Sequence, residues 1–473
     1  MELRFPEEKV KRVIPCKACG KVVEVELFLE IFDPTRYKSG LYRCPECNSL
    51  FYFPFSYIDY EDFYETLHLK FQLELGFDLY RELYYTYQLA EIVRSRGIER
   101  PYLLNVGCGA CVNLHFARFL GFEEAIGVEP AKLALKSSKA LGTKIYADYM
   151  ENVTELNKFK FHIVYASEVI EHLIHPTLFV YRISKMLDSE GVFFLTTPNA
   201  DCIDQMVARL QIYLLSPYQH HIIFSCEALE SLLKKFFRSV KILNSKKEHF
   251  ILAIASHKDI ELNFVEPKTF IKDVMVKYAY AMIEDLQKNT LDDFSKNLLN
   301  GILWRTFRAL VDFGFLEEAI NFYNNTDLRK YLDVESLDSI RQKIIEEVND
   351  WNGYITKFPT FIIHLMYYYG MLLLNHYGKY QEASRFFNSV FQILEKKLNI
   401  LAVDIPEFRN LIWLSKFAEG LSYYYHGEKE KAKGCFEFII NHYNNPDSEF
   451  VKWIGVGPDR NTFERSMELM KAV

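Results

Sequence analysis

Leu-Leu-Asn-Val-Gly-Cys-Gly-Ala-Cys, from Leu103 to Cys111, is the stretch that decides the fold of this 473-residue chain. An apolar run, which predicts a β-strand, ends in a loop that contains Gly107 and Gly109. The next run, Asn113 to Leu120, predicts a helix. Glycine lets the backbone turn sharply and approach a ligand closely. The stretch therefore predicts a strand, a ligand-binding loop and a helix, in that order.

Three further apolar runs follow, and each ends in polar residues. They cover residues 125–128, 161–166 and 191–197, and they lead into Glu129, Ser-Glu-Val-Ile-Glu-His (167–172) and Pro-Asn (198–199). Strands that alternate with helices form a parallel sheet, and polar residues at its carboxyl edge line a ligand site. Glu129 lies 22 residues after Gly107, where an acid can accept hydrogen bonds from both ribose hydroxyls. The pattern predicts a nucleoside site.

Val112 narrows the choice of nucleoside. A dinucleotide-binding fold has a third glycine at that position, which seats a helix against a pyrophosphate. Val112 therefore favours a ligand that has a ribose but no phosphate. Residues 100–256 resemble the class I S-adenosylmethionine-dependent methyltransferases, in the bacterial branch that includes small-molecule and sugar methyltransferases. The pieces that carry the resemblance are Asn-Val-Gly-Cys-Gly-Ala-Cys (105–111), Gly-Val-Glu-Pro (127–130), Ala-Asp-Tyr (147–149), Tyr-Ala-Ser-Glu-Val-Ile-Glu-His-Leu (165–173), Leu-Asp-Ser-Glu-Gly (187–191), Thr-Thr-Pro-Asn (196–199) and Tyr-Gln-His-His-Ile-Ile-Phe-Ser-Cys-Glu-Ala-Leu (218–229).

This resemblance implies a site for S-adenosylmethionine and methyl transfer by in-line displacement. The glycine loop would line the methionine part, Glu129 would hold the ribose, and Asp148 with Tyr149 would lie at the adenine. Three residues depart from the family pattern: Asn105 replaces an acid, Cys111 replaces a glycine and His162 replaces an aspartate. The residues expected to bind the cofactor are Asn105, Gly107, Cys108, Gly109, Glu129, Pro130, Asp148, Tyr149, Glu168 and Val169.

Three histidines are candidates for the base that removes a proton from the acceptor. They are His172, His220 and His221, and imidazole suits this task because it titrates near neutrality. The alternative for each is a hydrogen-bonded structural residue. Glu171 competes for the same task, although a residue in its position also serves to orient its neighbours.

Four N-terminal cysteines have the spacing of a structural zinc site. Cys16 and Cys19 form one Cys-x-x-Cys pair, Cys44 and Cys47 form another, and 24 residues separate the pairs. Two residues between cysteines let both thiolates face one tetrahedral ion, and four thiolates leave no open position for catalysis. The pattern predicts a zinc ribbon. The resemblance to bacterial methyltransferases that carry such a ribbon implies a structural cap that helps to form the acceptor pocket. The alternative is a set of unmetallated cysteines or a redox pair.

The rest of the chain divides by its pattern of apolar residues. Aromatic residues at helical spacing over 57–97 predict two helices broken near Gly76, and a hairpin over 239–255 predicts the end of the sheet. Beyond Asn263 only helices are indicated. The segments 314–319, 378–383 and 427–432 each run from a glycine to an alanine, with an aromatic residue four positions later. They resemble tetratricopeptide repeats, although the glycines are 64 and 49 residues apart.

The expected fold is α/β: a Rossmann-like methyltransferase sheet with an N-terminal zinc ribbon and a C-terminal all-α domain. The expected domains are a ribbon (1–56), a helical connector (57–100), a methyltransferase domain (101–260) and a tetratricopeptide-like domain (261–473). Stacked helical pairs leave a groove, so we expect the last domain to bind a protein partner or a second copy of the chain. A plain helical domain that braces the enzyme is the alternative.

Composition limits the function. The net charge of −7 offers no cationic field for nucleic acid, no apolar run is long enough to cross a membrane, and the N-terminus has no apolar signal core. We therefore expect a cytoplasmic protein. The family resemblance implies that it is an enzyme that methylates a small polar acceptor, a sugar or nucleotide-linked sugar. An RNA methyltransferase and a non-catalytic scaffold that binds protein through its helices are the alternatives.

Overall fold

The computed structural model describes residues 2–32, 38–54, 69–204, 212–244, 246–288, 292–402 and 405–473. Two compact units contain them: Met1–Leu67 with Arg81–Glu266, and His68–Tyr80 with Pro267–Val473. The segment 68–80, which the sequence assigns to a connector, thus belongs to the helical unit. Tyr60, Phe63 and Tyr64 of that connector lie outside the described residues. The domain boundaries at residues 56, 100 and 260 stay predictions.

Thirteen strands are described, and all of them belong to the first unit. They are β1 (Glu2–Arg4), β2 (Lys11–Pro15), β3 (Val22–Phe32), β4 (Ser39–Arg43), β5 (Leu50–Phe53), β6 (Tyr102–Val106), β7 (Glu124–Val128), β8 (Lys144–Tyr146), β9 (Phe161–Ser167), β10 (Leu187–Pro198), β11 (Ile222–Ile223), β12 (Ser239–Ile242) and β13 (Phe250–Ser256). Six helical segments follow the sheet strands: Val112–Phe119, Lys132–Leu141, Pro176–Met186, Ile212–Leu215, Cys226–Lys234 and the short turn Ile170–His172. Further single turns cover Met150–Asn152, Thr154–Lys158 and Ala200–Cys202.

The N-terminal sheet is antiparallel and takes one strand from far along the chain. Its order is β1-β3-β4-β5-β11, and β2 pairs with the remaining length of β3. Val25, Leu27, Leu29 and Ile31 are buried while the residues between them are partly exposed, which is the period of two that a strand with one covered face requires. Strand β11 pairs antiparallel with β5, so this sheet is completed by residues beside the predicted histidines.

The second sheet confirms the predicted fold class. Its order is β12-β13-β10-β9-β6-β7-β8. Strands β8, β7, β6, β9 and β10 are parallel, and β13 runs antiparallel to β10. Strand β12 pairs antiparallel with β13, which confirms the predicted terminal hairpin. The chain leaves β6 toward β7 on one side and returns to β9 on the other. In such sheets ligands bind beyond the carboxyl ends of the strands at this reversal.

The remaining helices make the second unit all-α over its described residues, and the predicted break near Gly76 is confirmed, because a helical segment ends there before the next begins at Leu79. No described helix is both long and apolar enough to span a bilayer. The helical segments of this unit are Leu69–Phe71, Gln72–Gly76, Pro267–Phe270, Ile271–Met275, Val276–Gln287, Asp293–Asp312, Leu316–Asn324, Asp327–Lys330, Leu337–Glu347, Trp351–Lys357, Ile362–Asn375, Tyr380–Leu401, Phe408–His426, Lys429–Asn444, Glu449–Ile454 and Arg460–Met470. The helix Leu79–Ser95 belongs to the first unit from Arg81 onward.

Glycines let neighbouring helices approach closely in this unit. A Cβ atom at Gly370 would lie 2.9 Å from the ring of Phe387, and one at Gly420 would lie 2.8 Å from the ring of Phe436. Phe387 and Phe436 are the aromatic residues of the sequence repeat. The repeat therefore marks real packing positions, although its likeness to tetratricopeptide repeats stays a prediction.

Among the described glycines, Gly301 makes the closest approach to a backbone atom, and this contact generates a stability prediction. A Cβ atom there would lie 2.1 Å from the carbonyl oxygen of Leu73, and a backbone atom cannot move aside cheaply. Gly301→Ala should lower the free energy of unfolding by about 1–3 kcal/mol because it overpacks this contact. Thermal unfolding followed by helical circular dichroism would measure the loss.

Gly434→Ala is the matched control. Gly434 lies within the helix Lys429–Asn444 and a Cβ atom there would meet nothing within 4 Å. This substitution should raise stability by about 0.5–1 kcal/mol, because alanine loses less backbone entropy than glycine on folding. Equal melting temperatures for the two variants would contradict the packing described for Gly301.

Candidate functional site

The glycine loop after β6 closes onto the end of β7. Gly107 and Gly109 have φ angles of +71° and +45°, a region that glycine enters without steric cost. The N–H groups of Gly107 and Cys108 donate to the carbonyl of Val128 at 2.8 and 3.3 Å. A Cβ atom at Gly107 would lie 2.6 Å from Cγ2 of Val169. The structure thus brings two predicted cofactor residues, Gly107 and Val169, into contact.

Glu129 joins this loop to the next helix. Its carboxylate accepts hydrogen bonds from the N–H of Gly109 at 3.1 Å and from the N–H of Ala131 at 3.0 Å. The side chain is only 7% exposed, and burial raises the pKa of Glu129 while the two N–H donors lower it. Each carboxylate oxygen has a second lone pair. Glu129 can therefore hold the loop and still accept hydrogen bonds from a ribose.

Two of the departures from the family pattern, Cys111 and Asn105, have different structural consequences. Cys111 caps the helix Val112–Phe119 with φ of +58°, a left-handed conformation that explains a glycine preference and costs a side chain about 1–2 kcal/mol. Its sulfur lies 3.7 Å from that of Cys108. Asn105 lies inside β6, where it is buried and pairs with Gly127 and Tyr165.

Asp148 and Tyr149 follow β8, at the same edge of the sheet. Asp148 is exposed, and its Oδ1 accepts hydrogen bonds from the N–H of Tyr149 and from Nδ2 of Asn152, both at 2.7 Å. Pro130 is half-buried directly after Glu129. The assignment of these residues to an adenine site stays a prediction.

Glu168 begins the loop after β9 in a conformation that is rare for a side chain. Its φ is +54°, and backbone strain of this kind concentrates at functional sites. Its N–H donates to the carbonyl of Thr196 at 3.0 Å, and its Oε1 accepts from the Thr196 hydroxyl at 2.6 Å. Arg81 Nη2 lies 4.0 Å from the same oxygen. The sequence analysis missed Thr196 and Arg81, although Thr196 opens the quoted Thr-Thr-Pro-Asn piece.

Glu171, His172 and His220 form a buried cluster next to this loop. The rings of His172 and His220 are 4.7 Å apart at a steep angle, and Glu171 Oε1 lies 3.9 Å from His172 Nε2. One ligand atom from each residue lies within 4.8 Å of the others, a grouping that could hold a metal ion. Burial lowers the pKa of His172 to about 4. Burial together with the charge of His172 lowers the pKa of His220 well below its usual value.

The side chain of His221 lies in a different environment from that of His220. Burial, with the charge of Lys17 in the N-terminal sheet, lowers the pKa of His221 to about 4. Its N–H donates to the carbonyl of Glu171 at 2.7 Å, and its carbonyl accepts from the N–H of Tyr52 in β5 at 3.2 Å. The backbone at His221 therefore links the acidic loop after β9 to the N-terminal sheet.

The cysteine quartet has the geometry of a tetrahedral thiolate site. Cys16 and Cys47 have their sulfurs 3.7 Å apart, and those of Cys19 and Cys44 are 3.9 Å apart. A Zn–S bond of about 2.3 Å in a tetrahedron gives a sulfur separation of about 3.8 Å. The four thiols therefore fit Zn²⁺, the ion that the spacing predicts.

Both knuckles turn in the way that the sequence predicts. The N–H of Gly20 donates to the carbonyl of Cys16 and the N–H of Asn48 to that of Cys44, each at 2.9 Å. Gly20 and Asn48 both have positive φ, as a tight turn after each pair requires.

The second knuckle also touches the predicted acceptor region. The hydroxyl of Ser225 donates to the carbonyl of Cys47, and the N–H of Ser225 donates to the hydroxyl of Ser49 at 3.0 Å. Asn48 Nδ2 donates to Asp201 at 2.9 Å. Ser225 caps the helix Cys226–Lys234 and closely follows the histidine pair. The ribbon thus holds the segment that carries His220.

Comparison with known proteins identifies the region that contains this site. Residues 80–236 match the family model described as Methyltransferase domain. The ubiquinone biosynthesis O-methyltransferase of Bartonella quintana is 31% identical over 102 residues, which cover 20% of this chain and 41% of the relative. The enzyme of the same name from Bradyrhizobium diazoefficiens is 32% identical over 101 residues, 20% of this chain and 40% of the relative. The chain therefore spans about two fifths of the length of these relatives.

Solved structures show weaker likenesses. An S-adenosylmethionine-dependent methyltransferase from Clostridium acetobutylicum has 12% identity and a TM-score of 0.31, and the match covers 41% of this chain and 99% of that one. The plantazolicin methyltransferase BamL has 14% identity and a TM-score of 0.34, with 41% and 91% covered. Such low TM-scores carry no argument about function. The family match itself assigns residues 80–236 to a methyltransferase domain.

Glu129 generates a binding prediction. Glu129→Ala removes the acceptor of two backbone N–H groups and of the expected ribose hydroxyls, and a hydrogen bond to a charged group is worth about 1.5–3 kcal/mol. The affinity for S-adenosylmethionine should fall at least tenfold, as measured by calorimetry. Glu123→Ala, at an exposed ion pair with Arg100, should bind as tightly as the wild type. Unchanged affinity in the Glu129 variant would show that the cofactor binds elsewhere.

The ribbon generates a prediction for hydrogen exchange. Chelation of the structural ion should accelerate amide exchange in the knuckles and also over residues 216–226, because Cys47, Ser49 and Tyr52 hydrogen-bond to that segment. Exchange in β6 should stay unchanged, since its amides pair with β7 and β9. Protection over 216–226 that survives chelation would separate the ribbon from the acceptor region.

Proposed function

We propose that this chain transfers the methyl group of S-adenosylmethionine to a hydroxyl of a small-molecule acceptor. The observation that carries the proposal is the buried Glu129 carboxylate, which is hydrogen-bonded to Gly109 at the reversal point of the sheet. It lies within the residues that match the methyltransferase family model. Both curated relatives are named O-methyltransferases, which supports an oxygen acceptor. We take a sugar or nucleotide-linked sugar as the acceptor class, on the strength of the ribbon and the family resemblance.

The residues present suit the cofactor. A Cβ atom at Gly107 would collide with Val169, so the loop needs glycine at this position. The Glu129 carboxylate, which accepts one hydrogen bond from Gly109 and one from Ala131, still has lone pairs for ribose hydroxyls. When bound, S-adenosylmethionine supplies an electrophilic methyl group. Gly107 and Gly109 would line its methionine part, Glu129 would hold its ribose, and Glu168 with Val169 would wall the side that faces the acceptor.

Removal of the acceptor proton is the step for which the three candidate histidines are least suited. A general base works best when the pKa of its conjugate acid lies near the operating pH. Burial lowers the pKa of His172 and of His221 to about 4, which makes both weak bases at neutral pH. The proposal that His172, His220 or His221 acts as the base therefore needs a further activating group.

Calorimetry and a transfer assay test the proposed function. The protein should bind both S-adenosylmethionine and its demethylated product, and radiolabelled methyl should pass to an acceptor from a panel of nucleotide-linked sugars and ubiquinone-biosynthesis intermediates. Transcribed RNA serves as the arm for the RNA-methyltransferase alternative. Glu129→Ala should abolish transfer to whichever acceptor reacts. A wild-type protein that binds neither nucleoside would overturn the proposal and favour the scaffold alternative.

The proposal also covers the cellular compartment of the protein and the role of its helical unit. We infer a cytoplasmic enzyme, and this is supported by nine free cysteines, since disulfides form in oxidising compartments. The helical unit would bind a protein partner or a second copy of the chain. Light scattering across a concentration series would reveal self-association, and a monomer at every concentration would leave a different protein as the partner.

A further inference from the structure

We propose that Glu171, His172 and His220 bind a second metal ion, a divalent transition-metal ion with open positions for the acceptor. This site is distinct from the cysteine quartet, because its ligands are two nitrogens and one oxygen. Such a set of two histidines and one carboxylate suits Zn²⁺, Fe²⁺ or Mn²⁺ and leaves room for water or substrate. The acceptor part of the inference rests on the proposed function, whereas the metal site does not.

Glu171 is the first observation that points to a ligand. The side chain is fully buried, and Oε2 accepts a hydrogen bond from the hydroxyl of Thr197 at 3.0 Å. The other oxygen, Oε1, is buried without a hydrogen-bond partner among the described residues. A buried carboxylate oxygen with no donor is costly. A cation at Oε1 would remove that cost.

The second observation is the tautomer in which the hydrogen bonds hold His172 and His220. His172 Nδ1 lies 3.2 Å from the carbonyl of Gln219, and His220 Nδ1 lies 3.2 Å from the carbonyl of Leu214. A carbonyl only accepts, so each Nδ1 must carry the hydrogen. In a neutral ring the lone pair is then on Nε2. Histidines that bind metals are held in this way, with the second ring nitrogen donating to a backbone carbonyl or carboxylate.

The separation of these atoms is close to that of a metal site. Ligand atoms around such an ion lie about 3.0–3.5 Å from one another. Here Glu171 Oε1 and His172 Nε2 are 3.9 Å apart, and the three ligand atoms all lie within 4.8 Å. Shifts of about 1 Å would close the cluster. The side chain of His172 is 20% exposed, which leaves an access route for an ion and an acceptor.

The histidines are weak bases, and a metal ion in this cluster would instead make the acceptor hydroxyl easier to deprotonate. An acceptor hydroxyl bound at an open position would have a lowered pKa, as water does on Zn²⁺. Its proton would leave to solvent, its oxygen would form a bond to the methyl carbon, and the bond from that carbon to sulfur would break, leaving a neutral thioether.

Cobalt substitution distinguishes the two sites. Metal-depleted full-length protein is reloaded with Co²⁺, and the bound metal is counted by mass spectrometry and recorded by absorption. The wild type should take up two Co²⁺ per chain. One should show charge-transfer bands from thiolates, and the other should show only the weaker bands of nitrogen and oxygen ligands. A single Co²⁺ with thiolate bands alone would overturn the proposal.

Variants assign the second ion to its ligands. His172→Ala, at a partly exposed position, and Glu171→Gln, which keeps the side-chain volume, should each weaken the second ion at least tenfold and keep the thiolate bands. His175→Ala is the matched control, since His175 is exposed three residues away and should retain both ions. A second ion that binds equally well in the Glu171 and His172 variants would place it elsewhere and overturn the assignment.

Calorimetry with S-adenosylmethionine on the same samples separates this inference from the proposed function. Nucleoside binding is compared between the wild type and the His175→Ala control, because Glu168 and Val169 of the expected nucleoside site lie in the same loop as His172. Two bound Co²⁺ in a wild type that fails to bind the nucleoside would overturn the proposed function and support the metal site. A wild type that binds the nucleoside but takes up only one Co²⁺ would overturn the metal site and support the proposed function.

Discussion

Two backbone N–H groups converge on the carboxylate of Glu129, and the cofactor edge of the sheet depends on this arrangement. The donors belong to Gly109, in the loop after β6, and to Ala131, at the start of the helix after β7. Burying a carboxylate is costly unless it is hydrogen-bonded, so the side chain and the loop hold each other in place. Gly107 then approaches Val169 closely enough to exclude a Cβ atom. One buried charge thereby sets the relative positions of the loops that follow three neighbouring strands.

The N-terminal sheet is a part of the same unit in a literal sense, since β11 supplies one of its edge strands. A small ribbon has little core of its own and depends on its ion to fold. Here it also gains the pairing of β5 with β11 and hydrogen bonds from Ser225 to Cys47. The same contacts fix the backbone that carries His220 and His221. The cysteine quartet and the two histidines are therefore connected by a few residues of backbone.

The acidic loop after β9 combines strain with burial. Glu168 has a positive φ and is held by Thr196, while Glu171 is buried beside two neutral imidazoles. Burial and the charge of Glu168 both raise the pKa of Glu171. Such an environment opposes charge on every member unless a cation joins them. This explains why the imidazole of His172 is a weak base at neutral pH.

The sequence alone determined the local structure of this protein. The apolar runs predicted β6, β7, β9 and β13, and the Cys-x-x-Cys spacing predicted two knuckles with tight turns. Strand and helix periods and turn residues are local properties, so they can be read without a structure. The left-handed conformation of Cys111 could be anticipated in the same way, because the position usually holds a glycine.

Only the tertiary structure decided which distant residues meet. No local pattern indicates that β11 joins the N-terminal sheet, that Glu74 and its neighbours belong to the helical unit, or that Thr196 holds Glu168. His172 and His220 are 48 residues apart in the chain, and only the fold places their rings 4.7 Å apart and buries Glu171 beside them. Pairing, burial and the resulting pKa shifts depend on neighbours from other segments. The chemistry of this site is therefore a property of the packed molecule, whereas its ingredients are visible in the sequence.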